Sequence, residues 1–227
     1  MAGFVVDESR EMSGAVRRTF GKLREYIDTA TAAVTAIVYK RRGVGTTAQR
    51  NALTGMTVGD EFFDTTLGRQ YVWTGTWTLI GGRMPRVNVG RTVAQSVPSG
   101  TPTIIGWDSE SFDTDSMHDN VTLFTRLIVP AGLTGRWRVE AQVGFAANAT
   151  GTRAVWITVN GVSTRWTQSE NPVNSASAGV GLYTSRELML NAGDYVELVG
   201  FQSSGINIGV VTSTTSDFFA ATYMGPQ

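Results

Sequence analysis

The chain has 227 residues, 41% of them hydrophobic and 17% charged, enough apolar material for one large domain or two modest ones. Its 19 basic and 19 acidic side chains balance to zero, which argues against nucleic acid or an anionic membrane surface as the main partner. The absence of cysteine excludes disulfides and thiolate metal sites, and no apolar run is long enough to span a membrane.

Residues 1–12, MAGFVVDESREM, read as a short arm with no apolar signal core, so assembly in a cytoplasm is expected. Apolar residues then fall at Val16, Phe20, Leu23, Ile27, Ala30, Val34 and Ile37, in alternating steps of four and three. This spacing predicts a helix from near Ser13 to about Arg42, with Lys40, Arg41 and Arg42 at the negative end of its dipole and Gly43 as its stop. Phe20, Ile27 and Val34 take the a positions of a heptad, and Val16, Leu23, Ala30 and Ile37 the d positions. One helix cannot bury so narrow a stripe alone, so the pattern calls for partner helices and is compatible with three; a surface helix packed on its own head is the alternative. Such a coil spans only about 32 Å and is marginal by itself. Something downstream must help hold the copies together.

Residues 43–82 form a distinct small β module, a collar after the stalk. Thr47 is a candidate cap for a short helix through Leu53. Strand-like runs follow at Glu61–Thr65 and Gln70–Thr74, joined by a turn at Thr66-Leu67-Gly68-Arg69, and Trp77 closes a third run. Phe62, Phe63, Tyr71, Trp73 and Trp77 supply an aromatic core for so small a unit. Residues 83–95, with three Arg and one Pro, read as a linker, and 96–227 as a strand-rich head.

In the head, Trp137, Val139, Ala141, Val143 and Phe145 alternate with Arg136, Arg138, Glu140 and Gln142, which predicts a strand with one face buried. Ala154–Val159 is apolar on both faces and suits the middle of a sandwich or a subunit contact, with Asn160-Gly161 as a hairpin turn after it. Further strands are expected at Leu188–Leu190, Tyr195–Phe201, Ile206–Val211 and Phe218–Met224. Eight to ten short strands imply an antiparallel sandwich or jelly roll. The polar stretch from Arg165 to Ala178 reads as the longest loop of the head.

Catalysis has little support. His118 is the only histidine, no Gly-x-Ser-x-Gly elbow exists, and the glycines after Arg42 lack the Lys of a phosphate loop. Asp108, Asp113, Asp115 and Asp119, with Glu110 among them, form an acidic cluster that is a candidate Ca2+ site, although the spacing lacks an EF-hand loop. Trp107, Arg165 and Trp166 are the candidate ligand contacts, since an aromatic beside a polar turn can stack on a sugar and long loops concentrate binding residues.

Two resemblances sharpen this reading. "TTAQRNAL" followed by "GDEFFDTTLGRQYVWTGTWTLIGG" resembles a short module recurrent in bacteriophage tail fibres and other virion appendages. "FTRLIVPAGLTGRWRVEAQVGFAANATGTRAVWITVNG", "LMLNAGDYVELVGFQSSG" and "SDFFAATYMG" look like the globular-head jelly roll of the first complement component, of the tumour-necrosis-factor-like superfamily. "GWDSESFDTDSMHDN" is similar to the lead-in of bacterial and phage members, whereas Arg136-Trp137 after Gly135 departs from the Tyr more usual after that Gly. The resemblance implies three jelly rolls around a threefold axis with the stalk at one end. The expectation is therefore a mainly β, non-enzymatic homotrimer: a coiled-coil helix (1–42), a collar (43–82), a linker (83–95) and a jelly-roll head (96–227). It would be a virion fibre whose N-terminus binds other virion structural proteins and whose head meets a host-surface glycan or protein. A capsid or tail decoration fibre without a receptor role is the alternative, and a bacterial surface or matrix protein a third reading.

Overall fold

The N-terminal periodicity gives helix α1, Gly14–Val38. The computed structural model describes residues 14–38, 42–163, 168–172, 178–212 and 217–226. Lys40 and Arg41 lie outside that set, but Arg42 is not helical. It opens strand β1, Arg42–Gly45, which pairs in parallel with β2, Glu61–Asp64. Gly43 therefore serves a strand rather than a helix stop, because a Cβ there would meet the Phe62 ring at 2.5 Å.

Helix α2, Thr47–Asn51, starts one residue earlier than expected. Its cap is Thr46, whose side chain accepts from the Gln49 amide while Gln49 reaches back in a capping box. Strands β3, Arg69–Trp73, and β4, Trp77–Gly82, complete a four-stranded sheet in the order β1-β2-β3-β4. Asp64 organises this collar. Its Oδ1 accepts from the Thr66 and Leu67 amides at 3.0 and 3.1 Å, which shapes the Asp-Thr-Thr-x-Gly turn. Its Oδ2 accepts from Thr47 Oγ1 at 2.7 Å and lies 3.2 Å from Arg50 Nη1, and the Arg50 guanidinium sits 4.0 Å above the Tyr71 ring. Asp64→Ala removes a fully buried carboxylate together with its four contacts and leaves Arg50 without its counter-ion. It is expected to destabilise the protein by about 3–5 kcal/mol, read as a shift in the denaturant midpoint.

The remaining strands are β5 (Arg86–Gly90), β6 (Gln95–Val97), β7 (Thr103–Ile104), β8 (Ser109–Asp113), β9 (Arg126–Ile128), β10 (Gly135–Phe145), β11 (Thr152–Val159), β12 (Val162–Ser163), β13 (Ser169–Pro172), β14 (Val180–Leu190), β15 (Tyr195–Gln202), β16 (Ile208–Val210) and β17 (Phe218–Gly225). They form two sheets. The first runs β6-β16-β10-β17-β5-β8, with β14 also on β10; the second runs β12-β11-β15-β7, with β13 on β11 and β9 on β15. The chain crosses between sheets as it passes from β5 to β9, β10 and β11, then from β13 to β14, β15 and β17. The first and last of these strands, β5 and β17, lie side by side. That strand order is a jelly roll.

The alternation in β10 behaves as expected: Trp137, Val139, Ala141, Val143 and Phe145 are all buried. They face Val155, Ile157, Val196 and Leu198 of the second sheet in one continuous core. Two boundaries differ from the sequence reading. Strand β5 lies inside the span read as a linker, where it pairs with β17 and β8, so the head begins by Arg86. The stretch from Arg165 to Ala178, read as loop, contains β13, an extra strand on β11.

The collar is fused to the head. Tyr71 and Leu79 belong to the same core cluster as Trp137 and Tyr223. Arg69 spans the junction with a two-pronged contact to Asp115, Nη1–Oδ1 at 2.7 Å and Nη2–Oδ2 at 2.6 Å, and its Nε donates to the Arg83 carbonyl at 2.7 Å.

Candidate functional site

Among the described residues the acidic cluster does not converge on one point. Asp108 accepts from the Thr92 and Val93 amides, at 2.6 and 3.1 Å, and ties the β5–β6 connection. Asp113 accepts from the Asp115 and His118 amides, at 3.0 and 2.9 Å. Asp115 is paired with Arg69. Asp119 accepts from the Val121 and Thr122 amides and from the Thr122 hydroxyl, closing an exposed turn. Each carboxylate is spent on a different local task, and among the described residues no group of three or more His, Asp or Glu side chains converges to hold a metal. Short loops of Asp, Ser and Thr produce such clusters whenever side chains cap their own backbone.

Burial alone would raise the Asp115 carboxyl, but the hydrogen bonds and charge of Arg69, with the Thr114 hydroxyl, hold it below its ordinary value near 3.8. A depressed folded pKa stabilises the protein above the unfolded value, and the contribution is lost as pH falls through the folded one. Acid titration should therefore show stability falling below about pH 3.8, and Asp115→Asn should lack that component of the slope. An unchanged slope in the variant would contradict it.

Trp107 is not a ligand platform. It is fully buried and stacks on Phe219 with ring centroids 5.6 Å apart, so no face is open to a sugar. Its carbonyl faces His118 Nε2 at 3.1 Å, and His118 Nδ1 sits 3.0 Å from the Arg126 carbonyl. The single histidine is thus pinned between two backbone carbonyls and has no ring nitrogen available to a substrate. Arg165 and Trp166 lie outside the described residues.

Along α1, Phe20, Leu23 and Ile27 are 57%, 51% and 52% exposed in the single chain, and Ala30 is exposed as well. Val16, Val34 and Ile37 fall within the helix, with side chains outside the described set. No helix among the described residues is long and apolar enough to cross a membrane.

A second surface is the outward face of the first sheet. Register places Tyr183, Gln142 and Phe218 in one row across β14, β10 and β17. Glu140, Ala220, Asn88 and Phe112 form the next. Tyr183 donates to Glu140 at 2.9 Å, Arg138 lies 3.3 Å from Glu140, and Arg86 sits 4.7 Å above the Phe112 ring. With Met189 and Met224 half-exposed beside them, the face mixes aromatics, Met and Arg, the side chains enriched where proteins meet.

A third feature lies on the outward face of the second sheet and was not legible beforehand. Across β13, β11 and β15, Ala154 pairs with Glu170 on one side and Phe201 on the other. Trp156 and Val199 follow in the next row, with Ile104 of β7 beyond them. Gly100, Pro102, Ala154, Trp156, Gln168, Glu170 and Phe201 line a cleft of about 480 Å³. Gln168 Nε2 donates to Glu170 Oε2 at 2.7 Å, which fixes the polar wall. The only advance signal was a strand apolar on both faces, because β13, which supplies the wall, reads as loop.

No protein-family model and no curated protein matches the chain. Among solved structures, murine APRIL crystallised at pH 5.0 aligns over 63% of this chain and 100% of its own at 14% identity and a TM-score of 0.49. Eiger TNF from S. frugiperda covers 63% and 94%, at 14% identity and 0.46. The globular domain of zebrafish complement 1qA covers 61% and 93%, at 13% identity and 0.41. The jelly-roll assignment itself rests on strand order and register within this chain.

Proposed function

We propose that the chain is a non-enzymatic, homotrimeric fibre of a bacteriophage particle whose jelly-roll head meets the host surface. The observation that carries this is the seam of α1, where Phe20, Leu23 and Ile27 are half-exposed in the single chain at coiled-coil spacing. Partner copies of the same helix would cover it, and the aromatic and methionine-bearing face of the first sheet offers a second contact between copies. The resemblance of the collar to a module of phage appendages supports the setting, with residues 1–12 as the attachment to other virion proteins. Three weak sites on one rigid head gain avidity because the second and third engagements are intramolecular. Deleting the gene tests the role: particles lacking the chain should fail to adsorb to their host. Normal adsorption by such particles would replace the attachment role with decoration of a capsid or tail.

A further inference from the structure

We infer that the cleft on the outward face of the second sheet binds a neutral or N-acetylated hexopyranose. The inference deepens the attachment role proposed above and rests on it for its biological meaning. Strand register builds the cleft with two unlike walls. Glu170, Ala154 and Phe201 sit side by side on three adjacent strands, so the small, buried Ala154 keeps a carboxylate and an aromatic ring one strand apart on either side of it. Pro102 extends the apolar wall beyond Phe201, and Gln168 extends the polar wall beside Glu170. A pyranose has the matching asymmetry. Its C–H face packs on an aromatic or proline ring, and its hydroxyls need paired acceptors and donors. The Gln168–Glu170 contact at 2.7 Å leaves the second carboxylate oxygen and the amide oxygen to accept from hydroxyls.

The volume, about 480 Å³, lies within the roughly 300–1,000 Å³ of small-molecule sites. Glu170 also sets the charge preference, since a carboxylate in the wall disfavours an acidic sugar. A cationic side chain could meet Glu170 and lie over Phe201, but it would leave the Gln168 amide oxygen without a hydroxyl donor, which is why a lysine amide serves as the competitor below. Here Trp156 is only 5% exposed, which leaves Phe201 as the aromatic wall.

Saturation-transfer NMR on the full chain tests the assignment. The probes are methyl β-galactopyranoside, methyl β-glucopyranoside and methyl N-acetyl-β-glucosaminide, with Nα-acetyl-lysine amide as the cationic competitor. At least one glycoside should receive saturation on its ring C–H protons. Glu170→Gln should weaken that binding about tenfold, in line with the loss of a hydrogen bond to a charged group. Ala154→Leu, which pushes a larger side chain between the two walls, should abolish it. If Ala154→Leu fails to fold, the exposed Glu170→Gln decides alone. No transfer to any glycoside, transfer indifferent to Glu170→Gln, or binding of the lysine amide in their place would each overturn the assignment. Particles that adsorb without the chain while a glycoside binds would remove the attachment role and keep the site. Chain-dependent adsorption with no glycoside bound would do the reverse.

Discussion

Arg69→Ala is expected to lower the unfolding free energy by about 3–5 kcal/mol, because it breaks a buried ion pair from one side. Both partners are withdrawn from water, with side chains 2% and 8% exposed. The variant leaves Asp115 buried without its counter-ion and the Arg83 carbonyl without its donor. Replacing both charges together with apolar residues of similar volume should cost far less, since no orphaned charge remains. The comparison of single and double variants by urea denaturation separates the penalty of an unpaired charge from the worth of the pair. A loss below about 1 kcal/mol for Arg69→Ala would show that the junction behaves as a surface contact. The same pair and the shared core predict that collar and head unfold in one transition. Two separate transitions would contradict their fusion.

Trp107→Ala should cost about 3–5 kcal/mol, the range for truncating a large buried aromatic. The indole is fully enclosed and stacked on Phe219, so its removal opens a cavity in the core. The loss should appear in the thermal midpoint and leave the proposed glycoside binding by folded protein unchanged. A variant of normal stability with impaired ligand binding would return Trp107 to the surface role its sequence context suggested.

Much of the fold was legible because its signals are local. The β10 alternation, the Asn160-Gly161 turn, where both residues take positive φ, and the collar hairpin each follow from short-range pattern. What the sequence hid is pairing over distance. Strand β5 looked like a linker because Arg86 and Asn88 face outward and only Val87 and Val89 mark its buried side. Strand β13, only four residues long and polar, is held by its register on β11 and has no hydrophobic pattern of its own. The same blindness explains the sites. Trp107 looked like a loop aromatic because its partner, Phe219, lies more than a hundred residues away in the chain. The aspartates read either as ligands or as turn caps, because proximity in sequence resembles convergence in space. Asp115 in fact reaches Arg69 in the collar, and Asp108 reaches back to Thr92.

The proposed fibre requires that copies of this chain assemble in threes through surfaces that a single copy leaves bare. The solution molar mass of the full chain, by light scattering after gel filtration, tests it most directly. A trimer gives three times the 24.4 kDa of one chain, and that mass is the expected result. Aspartate at both Phe20 and Ile27 should unwind the stalk, seen as a loss of helical circular dichroism. A mass of 24.4 kDa for the unaltered chain would contradict the fibre and leave α1 without the partners its seam requires.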